Sequence, residues 1–547
     1  MPTVQTSAPI GPDWPAVTPR ERGAGGTMIL ADSVCLAVAA LVLLTPALVW
    51  GRPFVFGDTP YYWAWGGDIL DALQRPWPHP GQLWVTGRSL HGWGSGTHDA
   101  TPADLRFNLT MLTARSAFYA APLRLLVQAG GLWLVAGLQA LAAAWVLRAA
   151  IRVAAPATSN LFYIFAAVAL SAFTSLGFET AYVMPDLFGG LALLAAASLT
   201  AFAGRMGRWM RAGLMAVIVY AVLCHAENAL NMAAAVALGF LLQWRAGRGW
   251  RTAALRVAPT AAALVAGLAV VTLGGLVMGA VFGRPAHMAP FAASRMLANG
   301  GVQPYLRQAC AHERLAACSL ADLAPAQIEY YAWVFPLEGP PPANLADPAG
   351  YTLDQFDRLE ARHVTDAEAD LRQRFVSEQG RMVLGALRVD GVRQVQIALT
   401  NGAIAFINFG VDHTLDTVQT LVREGDSRMR TETAHLLPAG VECPNPSGAD
   451  CGRYNLDRLW PVQYGAVICA LLFLGAFGLR RDLGLKGDLA TFVVLVLGLV
   501  LANAFLCGAL SGPFNRYQAR VVWLIPLCAL LLAAQHWERT RALKAAG

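Results

Sequence analysis

The chain has 547 residues, of which 56% are hydrophobic and 14% charged, with a net charge of +6. With a positive mean hydropathy, that composition excludes an ordinary set of soluble domains and points to a polytopic membrane protein. The positive balance does not mark a nucleic-acid partner, because arginines gather in short runs beside apolar segments, where they read as topology signals.

Residues 1–27 are rich in Pro, Gly and Thr without a hydrophobic period, and read as a disordered cytoplasmic tail. The apolar run behind them is too long for a signal-peptide core and lacks a small-residue cleavage site, so it stays as a span. A hydrocarbon core of roughly 30 Å needs about 20 apolar residues in a helix. Applied along the chain, that window gives a first span at 28–50, a polar loop at 51–128, and spans at 129–147, 160–178 and 187–204. Within the loop, 58–73 and 115–127 read as short interfacial helices, and Trp63, Trp65, Trp77, Trp84 and Trp93 suit a headgroup belt.

Residues 212–244 are apolar except for His225, Glu227 and Asn228 near the middle. A single helix would put the arginines at 205–211 and at 245–256 on opposite sides of the membrane. Two short helices turning at His225 keep both clusters inside, with a first arm of about 12 residues that has to end in a recess or a thinned bilayer. A span at 258–282 follows, then a mostly helical extracytoplasmic region at 284–457, and spans at 460–479, 489–510 and 521–535. The transmembrane module is thus 28–283 and the C-terminal one 458–547, giving about ten spans with both termini cytoplasmic, in a bacterial inner membrane. In the extracytoplasmic region, Thr365-x-x-Glu368 opens a helix expected to run to about Arg388, while 395–411 reads as a helix lying on the membrane or against the spans.

Five cysteines fall in spans; Cys310, Cys318, Cys443 and Cys451 fall in the extracytoplasmic region. Two closely spaced pairs suggest two local disulfides and an oxidising compartment. Local pairing is one of three connectivities, and four free thiols are the alternative.

With that topology, ionisable groups collect on the outer side: Asp58, Asp68 and Asp71 in the first loop, Glu179 and Asp186 in the second, His225 and Glu227 in the third. Arg516 and Arg520 stand in the last. Charges at membrane level are costly and usually have a partner or a function. Each also has a plain structural use. Asp58 and Asp186 can cap helices, Asp68 and Asp71 can face solvent, Glu179 can be an interfacial charge, and His225 with Glu227 can bond across the bundle. Arg516 and Arg520, four apart on one helical face, suit a phosphate held from two sides, or a snorkelling anchor.

The aspartate of Phe56-Gly57-Asp58-Thr59-Pro60-Tyr61-Tyr62 opening a long outer loop, two juxtamembrane helices, about ten spans and Arg516-Tyr517 near the last span together resemble the GT-C superfamily of lipid-carrier-dependent glycosyltransferases. The resemblance implies an all-α, GT-C-like membrane fold and transfer of a sugar from a polyprenyl-phosphate donor to a glycan, lipid or protein acceptor. It implies Asp58 as catalytic base, with Asp186 or Glu227 as a second carboxylate, and Tyr61, Tyr62, His225, Arg516, Tyr517 and Arg520 on the substrate. Many relatives carry two adjacent acidic residues at the first-loop site; this chain has Gly57-Asp58-Thr59 there, so a divalent metal, Mg or Mn, is an open expectation and no cofactor is firmly implied. A transporter or lipid flippase, and a non-catalytic subunit of an envelope assembly, are the competing classes.

Overall fold

The computed structural model describes residues 25–74, 101, 103, 107, 115–281, 291–325, 335–336, 363–411, 436, 459–479 and 487–546. The expected tail at 1–27, most of the 75–114 loop stretch, and Cys443 and Cys451 lie outside those residues or nearly so, as do the side chains of Asp68 and Asp71.

The protein is an all-α membrane protein. Its named elements are helices, and the one β feature recorded is an isolated parallel bridge between Phe54 and Tyr182. Six stretches are long and apolar enough to cross a membrane, and Ala31–Leu43 and Asn160–Phe173 are shorter apolar helices. One of the six, Ala226–Val277, is two helices folded at a turn where Gly247 and Gly249 take φ of +77° and +69°. Counting it as two and adding the 17-residue Arg208–Cys224, ten apolar helices make up the bundle among the described residues.

The first expected span is broken. α1 (Gly25–Leu43) stops short and α2 (Thr45–Trp50) restarts with Pro46, whose missing N–H is tolerated only in a first turn. Gly51 ends α2 at φ +83°, which turns the chain toward Asp58. The two interfacial helices form as α3 (Thr59–Gln74) and the first part of α4 (Ala117–Ala154), which kinks at Gly130 and Gly131 before its membrane-spanning part. They pack tightly: a Cβ on Gly66 would run into the Ala120 carbonyl, and the Arg124 guanidinium lies 3.7 Å from the Trp63 ring centroid.

α5 (Asn160–Phe173) ends five residues before the expected boundary, and a separate short helix, α6 (Leu176–Ala181), carries Glu179. α7 (Leu187–Phe202), α8 (Arg208–Cys224), α9 (Ala226–Gln243) and α10 (Gly249–Val281) follow. His225 alone separates α8 from α9, in an extended conformation at φ −151°, ψ 122°. The Phe188 ring packs edge-on against Tyr220 at one end of the bundle, and Gln243 donates to the Thr200 carbonyl at the other. The expected hairpin is therefore present: Arg205, Arg248 and Arg256 come to one end and share Asp488. Its first arm is longer than expected, because Arg208 and Arg211 lie inside the helix. Seventeen residues span about 26 Å, which leaves the arm only a few ångströms short of the hydrocarbon core.

α11 (Phe291–Ala298), α12 (Gln303–Ala309) and α13 (Asp366–Ile407) build a second core around Leu297, Leu306, Phe375 and Met382. The Thr365/Glu368 capping box forms in both directions. α13 does not end near Arg388. It breaks at Asp390 and continues, because Gly402 makes room for the Phe505 ring and Gly508 makes room for the Asn401 backbone, so that its last turns close onto a neighbouring helix. That contact, with α15 (Gly487–Leu510), sets 395–407 against the spans. Cys310 and Cys318 form a disulfide, Cα atoms 5.7 Å apart. α14 (Trp460–Leu479), α16 (Asn515–Val522) and α17 (Leu524–Ala546) complete the bundle.

Candidate functional site

The site is assembled by the backbone between loops. Phe54 N–H donates to the Ala181 carbonyl and Val183 N–H returns a bond to Phe54, both at 2.9 Å. Thr59 adds a third tie, its hydroxyl donating to the Val183 carbonyl at 3.0 Å while accepting from Phe56 N–H. These bonds hold Asp58 between α2 and α3, alongside the second outer loop with Glu179 and Asp186.

Asp58 receives two guanidiniums. Arg115, just before α4, pairs with one carboxylate oxygen, and Arg516, on α16, donates to the other at 3.0 Å. Arg516 also donates to the Tyr517 hydroxyl at 3.0 Å and lies 4.5 Å from the Phe56 ring centroid. Burial alone would raise the Asp58 carboxyl, but Arg115 and Arg516 outweigh it and hold it below the usual carboxylate range. All three side chains remain partly exposed, between 17% and 26%.

One helical turn further along α16 the environment changes. Arg520 is fully buried and pairs with Glu227 and, at 3.4 Å, with Asp186. Asn503 accepts from Arg520 at 3.2 Å and from Asn231 at 3.0 Å, and donates to the Tyr517 carbonyl. The Cys507 thiol also meets Glu227. Arg516 and Arg520, expected from their spacing to suit a phosphate held from two sides or a snorkelling anchor, lie in different surroundings. They do share a helical face, but Arg520 lies inside the bundle with its charge taken up by two carboxylates. Glu227 is correspondingly a buried partner of Arg520 and not a second carboxylate open to substrate. His225 Nδ1 stands 4.0 Å from Glu227, outside hydrogen-bond reach, and burial pulls its imidazole below the ordinary value.

Tyr62 packs edge-on against Tyr119 at 5.1 Å, with Arg115 5.9 Å from its ring centroid. Tyr61 is half-buried on the same helix. Tyr517 is buried, its hydroxyl accepting from Ser511 at 2.8 Å.

Two residues were not assigned to the site from the sequence. Arg115 is isolated in a long polar stretch; the signal it offered was a cation on the acidic side of the membrane, the same signal that marked Arg516. Glu179 read as an interfacial charge, yet it is 6% exposed, and no described residue hydrogen-bonds its carboxyl. Burial first, and then the neighbouring Asp186, push that carboxyl well above its ordinary range. Four carboxyls thus stand with three guanidiniums, and burial favours the protonated form of Glu179.

No family model matches the chain, and no curated protein matches it. Among solved structures the chain is similar to ArnT from Cupriavidus metallidurans bound to undecaprenyl phosphate, with 12% identity over 94% of this chain and 78% of that chain, and a TM-score of 0.30. A likeness that loose assigns neither a fold family nor an activity.

A divalent cation does not fit these donors. Asp58 is already held by two guanidiniums, Glu227 and Asp186 serve Arg520, and no three His, Cys, Asp or Glu side chains among the described residues converge as ligands.

Proposed function

We propose that the protein is a membrane glycosyltransferase that moves a sugar from a polyprenyl-phosphate donor to an acceptor on the extracytoplasmic face of a bacterial inner membrane. The observation that carries this reading is Asp58 clamped between Arg115 and Arg516, at a partly exposed site beside the ends of the spans. Two guanidiniums meeting on one carboxylate form a ready receptor for a phosphate of the same charge and bidentate geometry. The arginines gathered around Asp488 at the opposite end, and the Cys310–Cys318 disulfide in the region that packs on the site end, favour an extracytoplasmic site.

The clamp explains how a carboxyl held below its usual range serves as a base. In the resting site Asp58 neutralises Arg115 and Arg516. A donor phosphate competes for both guanidiniums, and as they turn to it Asp58 loses its counter-charges and becomes more basic. Asp58 then takes the proton of the acceptor hydroxyl while that oxygen bonds to the anomeric carbon. The bond from that carbon to the phosphate oxygen breaks with inversion, and its electron pair leaves on the lipid phosphate, which the two arginines stabilise. Tyr61 and Tyr62 contribute walls of the sugar site, and the buried Arg520 group fixes α16 so that Arg516 and Tyr517 face Asp58.

The deciding experiment is transfer from a labelled polyprenyl-phosphate sugar in membranes carrying Asp58→Asn. Loss of transfer with donor still bound is the expected result; transfer at the unmodified rate removes Asp58 from the mechanism.

A further inference from the structure

The end of the bundle remote from Asp58 carries a second convergence of charge. Arg205 follows α7, Arg248 lies in the turn after α9 and Arg256 on α10, and all three reach Asp488 at the start of α15, at 3.4, 2.6 and 3.6 Å. Arg205 also donates to the Val153 carbonyl and Arg256 to the Ala201 carbonyl, so each is held in place by the backbone of a neighbouring helix. One carboxylate cannot neutralise three guanidiniums, and among the described residues two positive charges of this cluster remain over. The Nη1 of Arg248 has no acceptor among the described residues.

Three tryptophans mark where this cluster lies relative to the bilayer. Trp209, Trp244 and Trp250 are 77%, 55% and 63% exposed, each adjacent in sequence to an arginine. The Arg208 and Arg251 guanidiniums sit over Trp209 and Trp250 at 5.2 and 5.4 Å. Large indoles left in the open at the end of an apolar bundle belong at headgroup level, where the ring meets acyl chains and the N–H meets water. The surplus guanidiniums therefore lie at the depth of the lipid phosphates.

We propose that this cluster is a binding site for the phosphate of an anionic phospholipid, with Arg248 and Arg256 as its ligands, Asp488 as the internal counter-charge that holds them open, and Trp209 and Trp250 flanking the acyl chains. Topology alone needs only that basic residues stay on one side. It does not need three of them gathered onto one acid from three separate segments.

The two kinds of residue respond in opposite directions, which supplies the test. The full-length protein is placed in phosphatidylcholine nanodiscs, cardiolipin is titrated in, and binding is read from the thermal-unfolding midpoint. Saturable stabilisation is expected. Arg248→Gln and Arg256→Gln should each weaken the apparent affinity roughly fivefold. Asp488→Asn, by freeing the guanidiniums, should strengthen it. Arg539→Gln, an exposed arginine on α17, should leave it unchanged. Should Asp488→Asn fail to fold, the two arginine variants still decide. Cardiolipin affinity unaltered in both overturns the proposal, and an equal shift from inorganic phosphate in lipid-free detergent replaces the lipid with a free anion.

Discussion

Asp58 and Arg516 stand 458 positions apart in the chain and meet at 3.0 Å. The contact joins the first outer loop to the last, and Arg115 closes it from the other side. If the pair is a resting lock released by donor phosphate, Arg516→Gln should raise the donor KM and lower kcat together, since one side chain binds the phosphate and stabilises it as it departs. Asp58→Asn should lower kcat by about 10²-fold or more, the usual size of a lost general base, while donor binding tightens, because the two guanidiniums are freed of their resting partner. Steady-state transfer with varied lipid-linked donor separates the two.

Arg520 should behave as a structural cation. Arg520→Met leaves Glu227 and Asp186 buried without their partner, a defect that costs about 3–5 kcal/mol where one member of a buried pair is removed. A marked fall in the unfolding midpoint of the purified protein is expected, and Arg520→Met with Glu227→Gln should recover part of it. Equal loss in the single and double variants would contradict the pairing.

The acid response follows from the direction of the Asp58 shift. Its folded carboxyl sits below the unfolded value, so the clamp contributes stability that is full above the ordinary range, about 4, and is lost as pH falls through the lower, folded value. Unfolding midpoints from neutral pH downward should show this loss in the unmodified protein and less of it in Asp58→Asn.

Glu179 has the opposite sign. Raised in the folded state, it favours folding while protonated, and that contribution fades as pH rises through its folded value. Glu179→Gln imitates the neutral carboxyl and should remove the fall in stability that begins as pH rises past the ordinary carboxylate range, about 4. A destabilised Gln variant would mean that the carboxyl is ionised in the folded protein.

Gly190 offers a steric test of the packing around Arg520. A Cβ there would run into the Arg520 carbonyl and stand 3.0 Å from the Trp523 indole nitrogen. Gly190→Ala should cost about 1–3 kcal/mol as overpacking, seen as a lowered unfolding midpoint, and should reduce transfer by displacing α16.

The membrane class, the number of apolar helices and the hairpin at His225 were legible because arginine placement and helix length obey strong constraints that act locally. The first outer loop's two interfacial helices were legible for the same reason. Finer features depended on contacts that sequence spacing does not encode. The continuation of α13 past Asp390 depends on Gly402 meeting Phe505 from a distant helix. In the site, the outer acidic residues and Arg516 could be named from their cost at membrane depth. That Arg516 faces the open site while Arg520 is sealed inside could not, because a four-residue spacing gives a shared face but not its depth.

The parallel bridge at Phe54 acts as a length standard for the site. Only four peptide steps separate Phe54, pinned to Ala181 and Val183, from Asp58, and Thr59 is pinned again directly after it. One residue inserted in that interval would displace the carboxylate by about 3.3 Å, one extended step, enough to carry it out of reach of Arg516. The interval should therefore be as intolerant of insertion as the aspartate is of replacement.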